Sequence, residues 1–234
     1  MAADGPTFDF LQRGEIQVRG RLPGSTNATF LVHLALAEGS ALAVYKPERG
    51  ERPLWDFPPG LFKRELAAYH LSETLGWGLV PPTVEREGPY GPGSLQLFVA
   101  ADFAQHYFTL RDDPAHHDGL RRICLFDLVA NNADRKGGHC LIADDGRIYA
   151  IDNALTFHAE PKLRTVIWDF AGERIPTNLL DDVRRGLGTG VPSALAGLLE
   201  PPEQTALLAR ARAILVDGRF PADSSGPRYP WPLI

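Results

Sequence analysis

The sequence predicts a mixed α+β protein, with a mostly β first part and a mostly α second part. Three observations carry that expectation. Strand-like alternation is concentrated before residue 100, helix-like stretches are concentrated after it, and one short hairpin interrupts the helices. In chain order, GEIQVRG (14–20) alternates as a strand does, and GRLPGSTN (20–27) is turn-rich. ATFLVHLALA (28–37) is a long apolar strand and ALAVYK (41–46) a third, so the opening reads as an antiparallel meander. Residues 58–75 read as a helix, with proline near the first turn and Gly76 just past the end. Short strands are expected at 83–87 and 95–100, split by the turn cluster GPYGPG. Helices are expected at 104–111, 119–131, 178–186 and 203–216, with the hairpin HCLIA (139–143), DDG, RIYAI (147–151) between them. Tyr229, Trp231 and Leu233 of the proline-rich tail are expected to dock on the body, since a free tail would be more polar. The expected division is 1–100 and 101–234.

Composition narrows the function classes. With 234 residues, 44% hydrophobic and 23% charged, usage is that of an ordinary globular protein, long enough for one domain or two joined lobes. The 23 glycines and 20 prolines imply many tight turns. A net charge of −5 argues against a dedicated nucleic-acid binder. Two cysteines, Cys124 and Cys140, make no disulfide framework, so a reducing cytoplasm is the expected compartment. No signal-peptide pattern opens the chain, and no apolar run approaches the ~18 residues of a membrane span, so no integral membrane association is expected.

The chemistry concentrates in FDLVANNADRKGGHCLIADDGRIYAIDN (126–153). A two-residue turn at 144–147 would set Ile142 opposite Tyr149, Cys140 opposite Ile151 and His139 opposite Asp152, with facing Cβ atoms ~4.5–5.5 Å apart. Asp152 and His139 would then emerge together where the Asn132/Asp134 loop arrives. Asp, Asn and His on such loops suit a hard cation and a general base; they equally suit a polar loop with Asx-turns. Lys46, ending an apolar strand, is a phosphate ligand or a solvated edge charge. Glu65 is its ion-pair partner or an exposed helix charge beside Lys63 and Arg64. The turn GRLPGSTN offers backbone N–H groups and the Ser25, Thr26 or Asn27 side chains to phosphates. His116 and His117 lack a spaced partner pattern and read as a solvated loop. Cys124, inside ICLF, reads as core. Trp55 supports the pocket or packs its own loop.

Glycine-rich turn, strand lysine, helix glutamate, connecting strand, Asp loop, hairpin and Asp follow one another in the order of a kinase's parts. The chain resembles the phosphatidylinositol 3-/4-kinase-like superfamily and, within it, the type II phosphatidylinositol 4-kinases. GSLQLFV (93–99), FDLVANNADRKGGHCLI (126–142), AIDNALTF (150–157) and the spacing from Glu65 to VPPT (80–83) carry the resemblance. HipA-like kinases share a similar Asn-x-Asp loop. The resemblance implies a two-lobed, protein-kinase-like fold with a small β-rich N-lobe and a mostly helical C-lobe. It implies ATP and Mg²⁺ (or Mn²⁺), and transfer of the γ-phosphoryl group to a hydroxyl acceptor, whether lipid, protein or small molecule.

Residue by residue, it places Lys46 on the ATP phosphates with Glu65 as partner, and Leu97, Phe98 and Val99 as the strand between lobes that meets adenine. Asp134 would accept the acceptor's proton, Arg135 would brace the loop, and Asp127 could accept hydrogen bonds from loop N–H groups. Asp152 would hold the metal. Where the family has Asn as second metal ligand this chain has His139, a softer donor than Mg²⁺ prefers. The alternative implication is therefore a pseudokinase, a nucleotide-binding or scaffold module. Lys136-Gly137-Gly138 replaces a more polar stretch. Residues 153–168 would be the activation loop, with Lys162 and Arg164 as its basic residues; with neither a cysteine-rich patch nor a basic amphipathic helix, a membrane substrate is not supported.

Overall fold

The computed structural model describes residues 5–222 and 228–234. The order of elements is α1 (Gly5–Arg13), β1 (Glu15–Arg21), β2 (Phe30–Leu36), β3 (Gly39–Pro47), α2 (Leu61–Thr74), β4 (Thr83–Gly88) and β5 (Gly91–Leu97) in the first half. The second half holds α3 (Tyr107–Leu110), α4 (His117–Ala130), β6 (Cys140–Ile142), β7 (Ile148–Ala150), α5 (Thr177–Leu187), α6 (Ser193–Ala196) and α7 (Pro201–Asp217). The mixed α+β, two-lobed architecture is the expected one.

The meander β1-β2-β3 forms as expected, and β5 then inserts between β3 and β4. The antiparallel sheet runs β1-β2-β3-β5-β4. Alternation along β3 assigns its faces. Ala43 and Tyr45 are fully buried with Leu11, Val32, Leu34 and Leu95, while Val44 and Lys46 line a cleft on the other face.

Four local readings are corrected. Helix α1 was not anticipated, because nine residues are too few for a legible helical period. Leu11 seats it in the sheet core, and Arg86 of β4 donates to Leu11 O (2.7 Å), one of the helix's last carbonyls, and to Gly14 O (3.3 Å) just beyond its end. The cluster GPYGPG is mostly strand: β5 begins at Gly91, and Gly93 lies so close to β3 that a Cβ there would meet Lys46 O at 2.4 Å. Glycine serves close approach there rather than a turn. The hairpin register is one residue off the expected one. Cys140 faces Ala150 and Ile142 faces Ile148, because the connection is three residues long with Gly146 at φ 79°. Finally, the tail docks by its backbone and prolines rather than by its aromatic side chains. Trp231 is 87% exposed and Tyr229 half-exposed, whereas Pro230 is buried and Gly137 N–H donates to Leu233 O at 2.7 Å.

Helix α2 starts after Gly60 (φ 85°), and the carboxylate of Glu51 accepts the N–H groups of Gly60, Leu61 and Phe62 at 3.0, 2.9 and 2.7 Å. A negative group there satisfies donors that the helix itself leaves free. Helix α4 ends at Asn131 (φ 55°), whose side-chain amide reaches His158 O and Glu160 O. The helical half is built on one continuous core that includes Phe126, Phe157, Val183 and Leu207. Cys124 and Cys140 both lie in that core. Among the described residues no helix is long and apolar enough to cross a membrane.

Candidate active site

A cleft of about 580 Å³ opens between the sheet and the helical half. Ser25, Thr26, Lys46, Glu65, Leu97, Phe98, Val99, Asp134, His139 and Asp152 all line it. Residues spread over 128 positions of sequence thus share one wall system because β3, α2, the linker after β5 and the β6–β7 hairpin converge there.

Lys46 is the hub. Its ammonium donates to Glu65 Oε1 of α2, and to Asp152 Oδ1 at 2.8 Å. Burial works against its charge, but the carboxylates of Asp152 and Glu65 outweigh that and hold its pKa above the ordinary lysine value. Reciprocally, Lys46 holds the Asp152 carboxyl below the usual carboxylate range. Asp152 has φ 56°, a left-handed conformation that a non-glycine residue keeps only with support from its surroundings.

His139 Nε2 stands 3.3 Å from Asp152 Oδ2. The two meet although the ladder does not pair them, since Ile151 N–H, not Asp152, donates to His139 O. Burial pushes the imidazole down to about 4 despite the nearby Asp152 carboxylate, so it is neutral at pH 7. Two donors bound side by side to one cation at ~2.1 Å each lie ~3 Å apart, so this spacing fits a shared metal. Among the described residues no group of three or more His, Cys, Asp or Glu could hold a metal; a cation here would take two protein ligands and complete its shell from a bound anion and water.

Asp134 pairs with Lys136 Nζ at 3.1 Å, and its N–H donates to Asn132 Oδ1. Burial raises its carboxyl above the ordinary value in spite of Lys136. Arg135 is fully buried, lines no part of the cleft, and gives its guanidinium to Asp127, Asn153 Oδ1 and Ile151 O. Asp127, fully buried, accepts from the Arg135 and Asn132 side chains rather than from loop N–H groups. In the linker, Leu97 N–H is committed to Pro82 O and Phe98 N–H to Leu42 O. Asn27 braces its loop by accepting Arg52 N–H at 2.9 Å. Trp55 is 94% exposed outside the cleft, with Lys162 Nζ 5.6 Å from its ring centroid. His116 and His117 do not line this cleft; His116 Nε2 lies 4.0 Å from Asp113 Oδ2 and His117 Nε2 lies 2.8 Å from Arg111 O.

The protein Rv2133c of Mycobacterium tuberculosis is 40% identical over 259 aligned residues, spanning 95% of this chain and 93% of that protein. The chain belongs to the Rv2133c family. No family model matches it. Among solved structures, this Rv2133c-family chain shares its fold with the Helicobacter pylori proinflammatory kinase CtkA (TM-score 0.52, 12% identity, 89% of this chain and 94% of that one). It shares it also with hydra Fam20, solved with sugar (TM-score 0.57, 15% identity, 92% of this chain and 88% of that one). At such identities the likeness establishes a kinase-like fold.

Sequence reasoning missed several cleft residues of this Rv2133c-family member. Gln96 lines the cleft and donates to Thr83 Oγ1; period-2 alternation from Leu95 could have found it. Lys136, two residues after Asp134, was read only as a departure from the family pattern. Pro232 and Ile234 join the lining through tertiary contact, for which no local signal exists.

Proposed function

We propose that this Rv2133c-family chain is an ATP- and metal-dependent kinase of the phosphatidylinositol 3-/4-kinase-like kind, acting in the cytoplasm on a hydroxyl acceptor. The observation that carries the reading is the convergence of Lys46, Glu65, Asp134 and Asp152 in one cleft that Leu97, Phe98 and Val99 also line. Lys46 leaves Asp152 to bind the ATP phosphates while Glu65 keeps it oriented. The loop carrying Ser25 and Thr26 covers those phosphates, and the Leu97–Phe98–Val99 backbone meets adenine. Asp152 and His139 would hold Mg²⁺ or Mn²⁺, which supplies charge neutralisation to the phosphates. Asp134, its basicity raised by burial, accepts the acceptor's proton. The acceptor oxygen then bonds to the γ-phosphorus as the bond to the ADP oxygen breaks. Arg135 holds the loop and hairpin together beneath these groups.

One observation favours a second reading. A neutral imidazole at 139 is a poor ligand for Mg²⁺, which fits a module that binds nucleotide without transferring phosphate. ATP binding and turnover of the purified chain, compared in Mg²⁺ and Mn²⁺, decide between them. Turnover supports the kinase, and tight binding without turnover supports the module. Absence of nucleotide binding in both metals overturns both.

A further inference from the structure

Helix α2 carries Glu65, yet much of its apolar surface is not committed to the sheet. Ala67, Ala68, Leu71 and Leu75 belong to the continuous core of the helical half, while the sheet keeps a separate core of its own. One residue before Glu65, Arg64 is 4% exposed and sends its guanidinium to Thr156 O and to Glu203 of α7. The second oxygen of Glu203 accepts Glu200 N–H at 3.0 Å and so closes the first turn of α7. Glu65 Oε2 meanwhile accepts Asn153 N–H at 3.1 Å. Residues 64 and 65 therefore grip both ends of the segment 153–156, which begins one residue past the left-handed Asp152.

We propose that Arg64 and Glu203 are positioning residues, a buried ion pair that fastens α2 to α7 and to segment 153–156. Lys46, Glu65 and Asp152 are thereby held in register. The inference rests on the kinase reading for the roles of those three residues. A purely structural role would not need ions. An apolar pair of similar volume can hold two helices together as well as a buried ion pair does, but it cannot bind Thr156 O.

That contrast gives the test, on the full chain. Arg64→Met/Glu203→Leu should still fold and melt cooperatively, with a midpoint lowered by the lost cap of α7 and the unpaired Thr156 O. The dissociation constant for Mn²⁺-ATP should nevertheless rise about tenfold or more, as it does when groups supporting a metal ligand are lost. Amides 153–156 should also lose hydrogen-exchange protection. Wild-type affinity and protection in a folded double variant overturn the inference. If the double variant does not fold, Glu203→Gln keeps the turn of α7 while removing the ionic partner. A weaker Mn²⁺-ATP complex there supports the inference, and an unchanged one overturns it. Should wild type bind no nucleotide, the kinase reading fails, and the exchange of amides 153–156 still decides whether the latch exists.

Discussion

At His139 two effects compete, and burial wins. The Asp152 carboxylate 3.3 Å away favours the imidazolium, yet desolvation brings the ring down to about 4. The unfolded chain titrates this group near ~6.5. Between those values the unfolded state holds the extra proton, so stability rises with pH; the contribution is complete above ~6.5 and is lost as pH falls toward 4. We expect His139 to cost about 2 kcal/mol of stability on going from pH 7 to pH 5 in metal-free buffer. Urea midpoints at the two values should separate for wild type and draw together in His139→Asn; an identical separation in both refutes the assignment. Asp134 answers to different chemistry. Asp134→Asn should leave the ATP dissociation constant within about threefold while lowering transfer by 10² or more, the usual scale for a lost general base. Parallel loss of binding would place Asp134 on the nucleotide instead. At this scale the sequence was informative because functional side chains are polar residues in apolar surroundings, and such residues stand out: Lys46 after AVY, His139 before CLI, Asp152 after YAI. Arg135 was legible as important but not as buried, because its partner Asp127 sits on the helix before it and nothing local says which way that carboxylate faces.

Among the elements, β5 and the β6–β7 hairpin show where local reading stops. Gly-Pro clusters signal turns, yet here Gly93 admits the backbone of β3 beside Lys46. Gly93→Ala would press a methyl group on Lys46 O and Pro47 Cα, which are backbone atoms with little freedom to give way. The expected result is a loss of about 1–3 kcal/mol in urea unfolding, with nucleotide affinity falling alongside because Lys46 moves. A variant as stable as wild type would mean that the strands part without cost. The hairpin teaches a related lesson. DDG admits either a two- or a three-residue connection, and the choice moves every pair by one; the expected meeting of His139 and Asp152 survives because both lie beyond the ladder, where loop geometry decides. Helix α1 was invisible for want of length, whereas α4 and α7, at 14 and 17 residues, were long enough to read.

In the whole molecule, the division into β-rich and helical halves was legible because each half repeats its own period many times. The allegiance of α2 was not, since the partner that anchors Arg64 lies 139 residues away. That anchoring has a thermodynamic signature. With α2 embedded in the helical core and ion-paired to β3, the two halves should unfold together, so far-ultraviolet and near-ultraviolet circular dichroism should report one coincident transition. Two separated midpoints would show the halves to be independent. A last consequence concerns handling at the bench. Gly137 N–H holds Leu233 O, and Pro232 and Ile234 line the cleft. Any polypeptide fused after Ile234 starts its path beside the cleft, and a polyhistidine tag placed there brings extra imidazoles toward the His139–Asp152 pair. Metal preferences measured for this cleft with such a tag in place would be partly those of the tag.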